Sequence, residues 1–289
     1  LPAKGTKIEV MSLFIAIPVH NRMQHTTRCL EALEKQSFHH YTIVLVDDGS
    51  TDGTAELINT RFPWVHRLAG DGSWWWTRSV NHGIREARGE FVAFVDSDDL
   101  WTPDKLERQM ALFDGEGKVG LVYCRGQRID GEGNRLPTTP MEKPVGDVFL
   151  PLLYRNHCPT SGVVVRKACL DRCGVFPEDM VWAEDWHLWL RIARHYAFQA
   201  VQEPLVLHRM HGSALTEQQE NAYAGARQVL TGALADDDGP DAHTARKRGL
   251  HRLDRDHGLG LMAIGETRAA RQAFRRALAT GALDVHVWA

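Results

Sequence analysis

The stretch Glu90-Phe91-Val92-Ala93-Phe94-Val95-Asp96-Ser97-Asp98-Asp99 decides the fold, because a short apolar run ends abruptly in three carboxylates. A run this short, rich in β-branched and aromatic residues, predicts a buried parallel strand. In open α/β sheets the ligand lies beyond the carboxyl ends of the strands. Clustered carboxylates repel one another unless a cation joins them, and Mg²⁺ or Mn²⁺ usually completes its shell with substrate phosphates. The stretch therefore indicates a metal–diphosphate site, although an acidic loop capping a helix near Thr102-Pro103-Asp104 explains it equally simply.

Length and composition narrow the class of protein. The 289 residues carry a net charge of −3, with 43% hydrophobic residues, which is typical of a soluble globular chain and does not indicate nucleic-acid binding. No apolar run approaches the roughly 20 residues that a membrane helix needs. The five cysteines lack the spacing of a disulfide framework or a zinc site, so we expect reduced thiols and a cytoplasmic location. Residues 1–10 are expected to be a cloning remnant or a disordered segment.

Strand and helix patterns alternate on both sides of the opening stretch. Strands are predicted at 13–19, 41–46 and, weakly, 64–68, and helices follow near Thr26 or Thr27, from about Thr51, and up to Arg88. Beyond Asp99 the patterns predict strands at 119–123, 127–129, 161–166, 198–201 and 205–208, with helices at about 103–113, 148–154, 167–173 and from 184. This alternation predicts an α/β fold with a doubly wound, mostly parallel sheet.

The character of the chain changes near Glu217. Three helical stretches follow at 217–234, 242–256 and 262–280, and the last repeats alanines at helical spacing. We therefore expect a main α/β domain over 11–215 and a C-terminal helical extension over 216–289. The basic residues of this extension indicate a solvated helix face, while peripheral membrane contact and a homodimer stay open.

Two further acidic pairs accompany the opening stretch. Asp47-Asp48 follows the second predicted strand, and Glu184-Asp185 begins an amphipathic helix. Together with Asp96-Ser97-Asp98-Asp99, in this order, they resemble the family 2 inverting glycosyltransferases, which have the GT-A fold. The stretches that carry the resemblance are Ile17–Arg22, Val46–Asp52, Asn81–Glu90, Val95–Asp99 and Glu184–Arg191, within about residues 12–213. Gly70–Trp76 looks like a subgroup related to rhamnosyltransferases.

The resemblance implies a role for particular residues. Asp185 would be the catalytic base on the acceptor hydroxyl, Asp98 would hold Mn²⁺ or Mg²⁺ on the diphosphate, and His211 aligns with a position that meets metal or diphosphate in some relatives. The donor would be a nucleoside-diphosphate sugar, most simply a UDP- or dTDP-sugar, and the acceptor a saccharide or another hydroxyl compound. The expected donor contacts are Pro18, Val19, Asn21, Asp47, Arg78, Asp96, Ser97 and Trp75.

Simpler interpretations exist for several of these residues. Asp48 and Asp52 are suited to capping the helix after Gly49-Ser50, and the tryptophans 74–76 are as suited to core packing as to stacking on a sugar. Glu184 is suited either to capping or to orienting Asp185. Relatives commonly carry arginine where this chain has Val80, and Arg78, three residues before Asn81, would share that helix face.

Two other functions compete with glycosyl transfer. A nucleotidyltransferase uses a similar sheet and metal, but it normally has a glycine- and basic-rich loop after the first strand, where this chain has Pro18-Val19-His20-Asn21-Arg22. A non-catalytic nucleotide-sugar-binding module is the second alternative, against which the intact carboxylates argue. Chemistry with NAD is disfavoured because no Gly-x-Gly-x-x-Gly follows a strand.

Overall fold

The computed structural model describes residues 12–113, 117–138, 141–210, 215–232 and 239–281. Its first half alternates strands and helices, as the sequence predicts, because apolar strands buried on both faces need helices to cover them. The elements are β1 (Leu13–Val19), α1 (Met23–Leu33), β2 (Tyr41–Asp47), α2 (Thr54–Arg61), β3 (His66–Ala69), α3 (Trp76–Glu86) and β4 (Phe91–Phe94).

The second half adds shorter strands and the C-terminal helices. Its elements are β5 (Leu100–Trp101), α4 (Lys105–Met110), β6 (Val119–Ile129), α5 (Phe149–Tyr154), a 3₁₀ turn (Thr160–Gly162), β7 (Val164–Arg166), α6 (Lys167–Cys173), α7 (Glu184–Ala193), β8 (Ala197–Arg209), α8 (Leu215–Thr231), α9 (Pro240–Ala263) and α10 (Thr267–Ala279). All five cysteines are free thiols, as the composition predicts.

One eight-stranded sheet organises these elements in the order β3-β2-β1-β4-β7-β6-β8-β5. The four strands from β3 to β4 are parallel, β7 runs antiparallel to both of its neighbours, and β6 and β8 are parallel to each other. The carboxyl ends of β1, β2 and β4 therefore lie along one edge, and Val19 is paired with Asp47 there. This confirms the predicted α/β fold and sets the acidic segments after β2 and β4 at the same edge.

Three local boundaries differ from the sequence prediction. The predicted pairs of short strands at 119–129 and 198–208 are each one long strand, because β6 and β8 pair along their whole length and absorb irregularities near Arg125 and Pro204 as shifts of register. Helix α4 is shorter than 103–113. Helix α1 begins at Met23 rather than near Thr26, because Asp52 reaches back to accept the Met23 N–H at 2.8 Å while also capping α2 through Thr54.

The C-terminal helices share their packing with the sheet. Ala226, Val229 and Leu230 of α8 belong to the same buried apolar cluster as Trp186 and Trp189 of α7. Asp254 of α9 is fully buried and accepts hydrogen bonds from Tyr223 and Arg227 of α8. The boundary at 215/216 stays a prediction, and residues 1–10 lie outside the described part. Within the described ranges no helix is both long enough and apolar enough to cross a bilayer.

Candidate active site

A cavity of about 800 Å³ opens at the carboxyl edge of the sheet. Its walls come from the ends of β1 and β8, the segments after β2 and β4, the 3₁₀ turn, and the starts of α3 and α7. Its lining residues are Pro18, Val19, His20, Arg22, Asp48, Trp74, Trp76, Ser79, Asp96, Ser97, Asp98, Thr160, Val181, Trp182, Ala183, Glu184, Asp185, His208, Arg209 and Met210.

Asp96 stands directly after β4 with both oxygens engaged. The indole Nε1–H of Trp76 donates to Oδ1 at 2.7 Å, and the Ser161 hydroxyl lies 3.4 Å from Oδ2. Burial raises the pKa of Asp96 to about 7, and the negative charges of Asp99 and Asp98 add to the shift. The carboxylate is thus held under charge repulsion that a cation would relieve.

Asp98 and Asp99 have different environments despite being neighbours. The Asp98 carboxylate lines the cavity and forms an ion pair with Arg22, Nη1 to Oδ2, at 2.6 Å. Asp99 is fully buried; it accepts the backbone N–H of Arg209 and pairs with His208 Nδ1, both at 2.9 Å. The hydrogen bond between Asp99 and His208, together with the negative charge of Asp99, raises the pKa of His208 to about 9. The imidazole at the cavity wall is therefore cationic at neutral pH. Asp99 therefore ties the end of β8 to the acidic segment.

The donor set at this edge fits a hard divalent cation. Mg²⁺ and Mn²⁺ prefer oxygen ligands, and protein sites commonly supply one or two carboxylates while the substrate phosphates and water supply the rest. Asp98 and Asp96 are two such carboxylates facing one cavity; burial, together with the charges of Asp99 and Asp98, raises the pKa of Asp96, and a cation there would stabilise its ionised form. Among the described residues no group of three or more His, Cys, Asp or Glu side chains forms a complete ligand cage by itself.

Asp185 also lines the cavity, from the first turn of α7. Ala183 enters this helix with a left-handed φ of 62°, which turns the carboxylates at its start into the cavity. The side chains of Asn156 and Thr160 donate to Asp185 Oδ2 at 3.0 and 3.1 Å, which fixes the orientation of the carboxylate. Burial raises the pKa of Asp185, and it raises that of Glu184 to about 8, with the Asp185 charge contributing.

The two carboxylates after β2 are separated by their surroundings. Asp47 is buried against Arg67, Nη1 to Oδ2 at 3.2 Å, and accepts the Ser50 N–H, so it is absent from the cavity lining. Asp48 lines the cavity, and its Oδ1 accepts the Gly72 N–H at 2.9 Å. A Cβ at Gly70 would lie 2.5 Å from that same oxygen, so glycine is required for this close approach.

The remaining predicted residues divide between the cavity and its surroundings. Pro18, Val19 and Ser97 line the cavity. Asn21 is exposed with φ at 51°, and its side-chain oxygen accepts the Thr51 N–H at 2.7 Å, which joins the loops after β1 and β2. Trp75 and Arg78 line a neighbouring groove instead of the cavity. His211 lies outside the described residues.

Several residues that line the cavity are not predicted from the sequence. Arg22, His208 and Arg209 contribute positive charge to the cavity wall, and Thr160 positions Asp185. Trp76 is one of three adjacent tryptophans, and its hydrogen bond to Asp96 distinguishes it from Trp74 and Trp75. No sequence pattern marks His208, because its partner Asp99 is 109 residues away.

Comparison with solved structures places this architecture among glycosyltransferases of GT-A fold. S. aureus TarS 1–349 in complex with UDP-GlcNAc is 22% identical with a TM-score of 0.71, covering 93% of this chain and 80% of that one. The mannosyltransferase PcManGT of Pyrobaculum calidifontis, in complex with GDP-Man and Mn²⁺, is 18% identical with a TM-score of 0.66, covering 94% of this chain and 76% of that one. These likenesses confirm the predicted fold class.

Sequence relatives agree with the structural ones. An uncharacterized glycosyltransferase of Rickettsia bellii is 29% identical over 73% of this chain, which spans 30% of that relative's length. The amylovoran biosynthesis glycosyltransferase AmsB of Erwinia amylovora is 27% identical over 69% of this chain and 70% of its own. The family profile described as glycosyl transferase family 2 matches residues 14–174, more than half of the sequence. On this match, and as the acidic motifs predicted, the chain belongs to glycosyl transferase family 2.

Proposed function

We propose that this protein transfers a sugar, with inversion, from a nucleoside-diphosphate sugar to a hydroxyl acceptor in a metal-dependent reaction. The observation that carries the proposal is that Asp98 and Asp185, 87 positions apart in the sequence, line one cavity of about 800 Å³. Family membership supports glycosyl transfer, and the neighbours solved with UDP-GlcNAc or with GDP-Man and Mn²⁺ support a sugar-nucleotide donor. A role in polysaccharide or glycoconjugate synthesis is part of this proposal.

The donor side of the cavity is the edge formed by β1, β2 and β4. Pro18, Val19 and Asp48 offer an apolar wall and an acceptor for the nucleoside, while Asp96 and Ser97 face the adjoining ribose and phosphate region. Asp98 with Asp96 would hold the divalent cation, which neutralises charge developing on the departing diphosphate. The cationic His208 and Arg22 lie on the same wall and add positive charge near the phosphates.

Asp185 is the proposed general base. A raised pKa makes its carboxylate a better proton acceptor than an ordinary aspartate, while Asn156 and Thr160 hold its orientation. It takes the proton of the acceptor hydroxyl as the hydroxyl oxygen bonds to the anomeric carbon and the bond to the diphosphate breaks. A single displacement of this kind inverts the anomeric configuration. Glu184 lies beside Asp185. We propose that Glu184 helps to set the pKa of Asp185, because two neighbouring carboxylates repel each other when both are ionised.

The experiment begins by finding the donor. A thermal-shift screen of nucleoside diphosphates and their sugars, with and without Mn²⁺, should reveal ligands that stabilise the folded state. Release of nucleoside diphosphate is then measured for wild type and variants. Asp185→Asn should keep donor-induced stabilisation while turnover falls about 10²- to 10⁴-fold. Asp98→Asn should lose the Mn²⁺-dependent part of the stabilisation.

Asp171→Asn is a matched control, because Asp171 is an exposed carboxylate on helix α6 that does not line the cavity. It should behave as wild type. Full turnover by Asp185→Asn would remove Asp185 as the base. Donor binding without any release of nucleoside diphosphate, with or without Mn²⁺, would instead favour a sugar-nucleotide-binding module.

A further inference from the structure

A second groove of about 260 Å³ runs alongside the cavity and carries an unusual surface. Trp75 is 75% exposed and Val181 is 60% exposed, and both line this groove. A single exposed apolar side chain is ordinary, but two large ones that line the same groove form a patch of the kind that marks a ligand-binding surface. The other lining residues are Ser73, Trp76, Thr77, Arg78, Glu178 and Met180.

The groove is held in a fixed shape by hydrogen bonds between its two walls. One wall is residues 73–78, which lead into helix α3, and the other is the segment 176–181, which later turns of α3 hold in place. Asn81 of α3 accepts the Phe176 N–H at 3.1 Å and donates to its carbonyl at 2.8 Å. Arg85 and Asn81 donate to Glu178 at 2.8 and 3.2 Å. The groove is therefore preformed, which lowers the entropy lost when a ligand binds.

The position of the groove ties it to the acceptor side of the cavity. Trp76 and Val181 line both spaces, so the groove continues directly from the cavity. Val181 lies four residues before Asp185, on the segment that leads into the proposed base. None of the acidic residues after β4 lines the groove. A molecule that presents a hydroxyl to Asp185 would extend naturally along this surface.

The chemistry of the groove fits a sugar ring. The flat indole of Trp75 offers a face for the C–H side of a pyranose, while Arg78 and Glu178 present a donor and an acceptor for ring hydroxyls. The Arg78 guanidinium lies over the Trp74 ring at 5.3 Å, and within the described ranges it forms no ion pair. Among the lining residues the positive charge of Arg78 and the negative charge of Glu178 balance, which argues for a neutral rather than a charged saccharide.

We infer that this groove is an acceptor subsite, in which Trp75 stacks on a neutral sugar residue of a saccharide whose terminal hydroxyl reaches Asp185. The inference rests on the proposed function, and it assigns Trp75 and Arg78 to the acceptor rather than to the donor. The acceptor class is accordingly a neutral oligosaccharide or a glycoconjugate ending in one.

The test is ¹⁹F NMR of the protein labelled with 5-fluorotryptophan, which reports on all nine tryptophans without any need for turnover. Trp75→Phe assigns the Trp75 resonance by its disappearance, and Trp76→Phe assigns that of Trp76. The probes are UDP and GDP with Mg²⁺, which is diamagnetic and leaves the resonances sharp, and neutral di- to tetrasaccharides of glucose, galactose, mannose, N-acetylglucosamine and rhamnose. At least one saccharide should shift the Trp75 resonance, while the nucleotides should shift Trp76 and leave Trp75 in place.

Saccharide affinity should fall about tenfold in Trp75→Ala, the loss expected when one aromatic stacking contact is removed. Trp64→Ala is the matched control, because Trp64 is 41% exposed and lines neither the cavity nor the groove. A nucleotide that shifts Trp75 as strongly as Trp76, or a panel in which no saccharide shifts Trp75, overturns the inference. Failure of both nucleotides to shift any resonance would instead count against the proposed donor site, whatever the saccharides do.

Discussion

Replacing Arg22 by glutamine should tighten binding of Mn²⁺ in the absence of nucleotide. The Arg22 guanidinium lies 2.6 Å from Asp98 Oδ2, the carboxylate proposed to hold the cation, so a metal ion must compete with an internal positive charge. The Arg22 side chain is 41% exposed and that of Asp98 is 16% exposed, so solvent screens much of the attraction. After that screening the pair is worth about 1 to 2 kcal/mol, which corresponds to a gain of roughly 5- to 30-fold in metal affinity.

Electron paramagnetic resonance of free Mn²⁺ measures this directly, because the signal of the hydrated ion falls as the protein binds it. Wild type, Arg22→Gln, Asp98→Asn and Arg28→Gln are titrated at one ionic strength. Arg28 is an exposed arginine on helix α1, which Arg22 directly precedes, and its variant should bind as wild type. Unchanged affinity in Arg22→Gln, together with a loss in Asp98→Asn, would refute the idea of an internal competitor. Unchanged affinity in Asp98→Asn would refute the metal site itself.

Three further outcomes follow from the site and its supports. Asp96 has a folded-state pKa near 7, against 3.8 for an unperturbed carboxyl, so the native state binds the proton more tightly and stability falls as pH rises from about 4 through 7. Asp96→Asn should remove up to about 4 kcal/mol of this fall in metal-free thermal melts, since each pH unit between the two pKa values is worth about 1.4 kcal/mol. His208→Gln should lower the free energy of unfolding by about 1 kcal/mol at pH 6, a figure already reduced for the exposure of the side chain. The effect should vanish above pH 9, because the ion pair with Asp99 stabilises the fold only while the imidazole is charged. Gly225→Ala should lower stability by about 1 to 3 kcal/mol in urea unfolding, since its Cβ would lie 2.4 Å from the carbonyl oxygen of Trp182.

Each of these three has an outcome that contradicts it. An unaltered pH dependence in Asp96→Asn would mean that the carboxyl titrates normally. A His208→Gln penalty of equal size at pH 6 and pH 10 would indicate packing rather than charge. Gly131→Ala controls for glycine replacement in general, because nothing lies within 4 Å of the place that its Cβ would occupy. A loss equal to that of Gly225→Ala would remove the argument from close contact.

The layout of the sheet could be predicted from sequence because it depends on local patterns. The apolar runs of β1, β2 and β4 end in polar residues, and parallel strands bring such ends to one edge. The family resemblance then pointed to Asp98 and Asp185, and the structure brings both into one cavity. The carboxylates of the site, and their position at one edge of the sheet, could therefore be predicted from sequence.

Which of these carboxylates face the cavity depends on contacts with residues far away in the sequence. Asp47 and Asp48 are chemically identical neighbours, and the difference between them comes from Arg67 on one side and Gly72 on the other. In the same way, Arg22 and His208 enter the cavity because of partners 76 and 109 residues away. Local propensity carries no information about pairings of this length. The two long strands β6 and β8 were divided for a related reason, since only their mutual pairing keeps Gly126 and Pro204 extended.

The contact between Gly225 and Trp182 joins the C-terminal helices to the wall of the cavity. Helix α8 lies with its backbone against the carbonyl of Trp182, three residues before the proposed base, and only a glycine permits that approach. Anyone exchanging C-terminal segments between members of this family to alter specificity would therefore need to transplant both partners of this contact together. A chimera that places a foreign helix against the native Trp182 would disturb the cavity wall next to the proposed base, where the acceptor hydroxyl is proposed to bind.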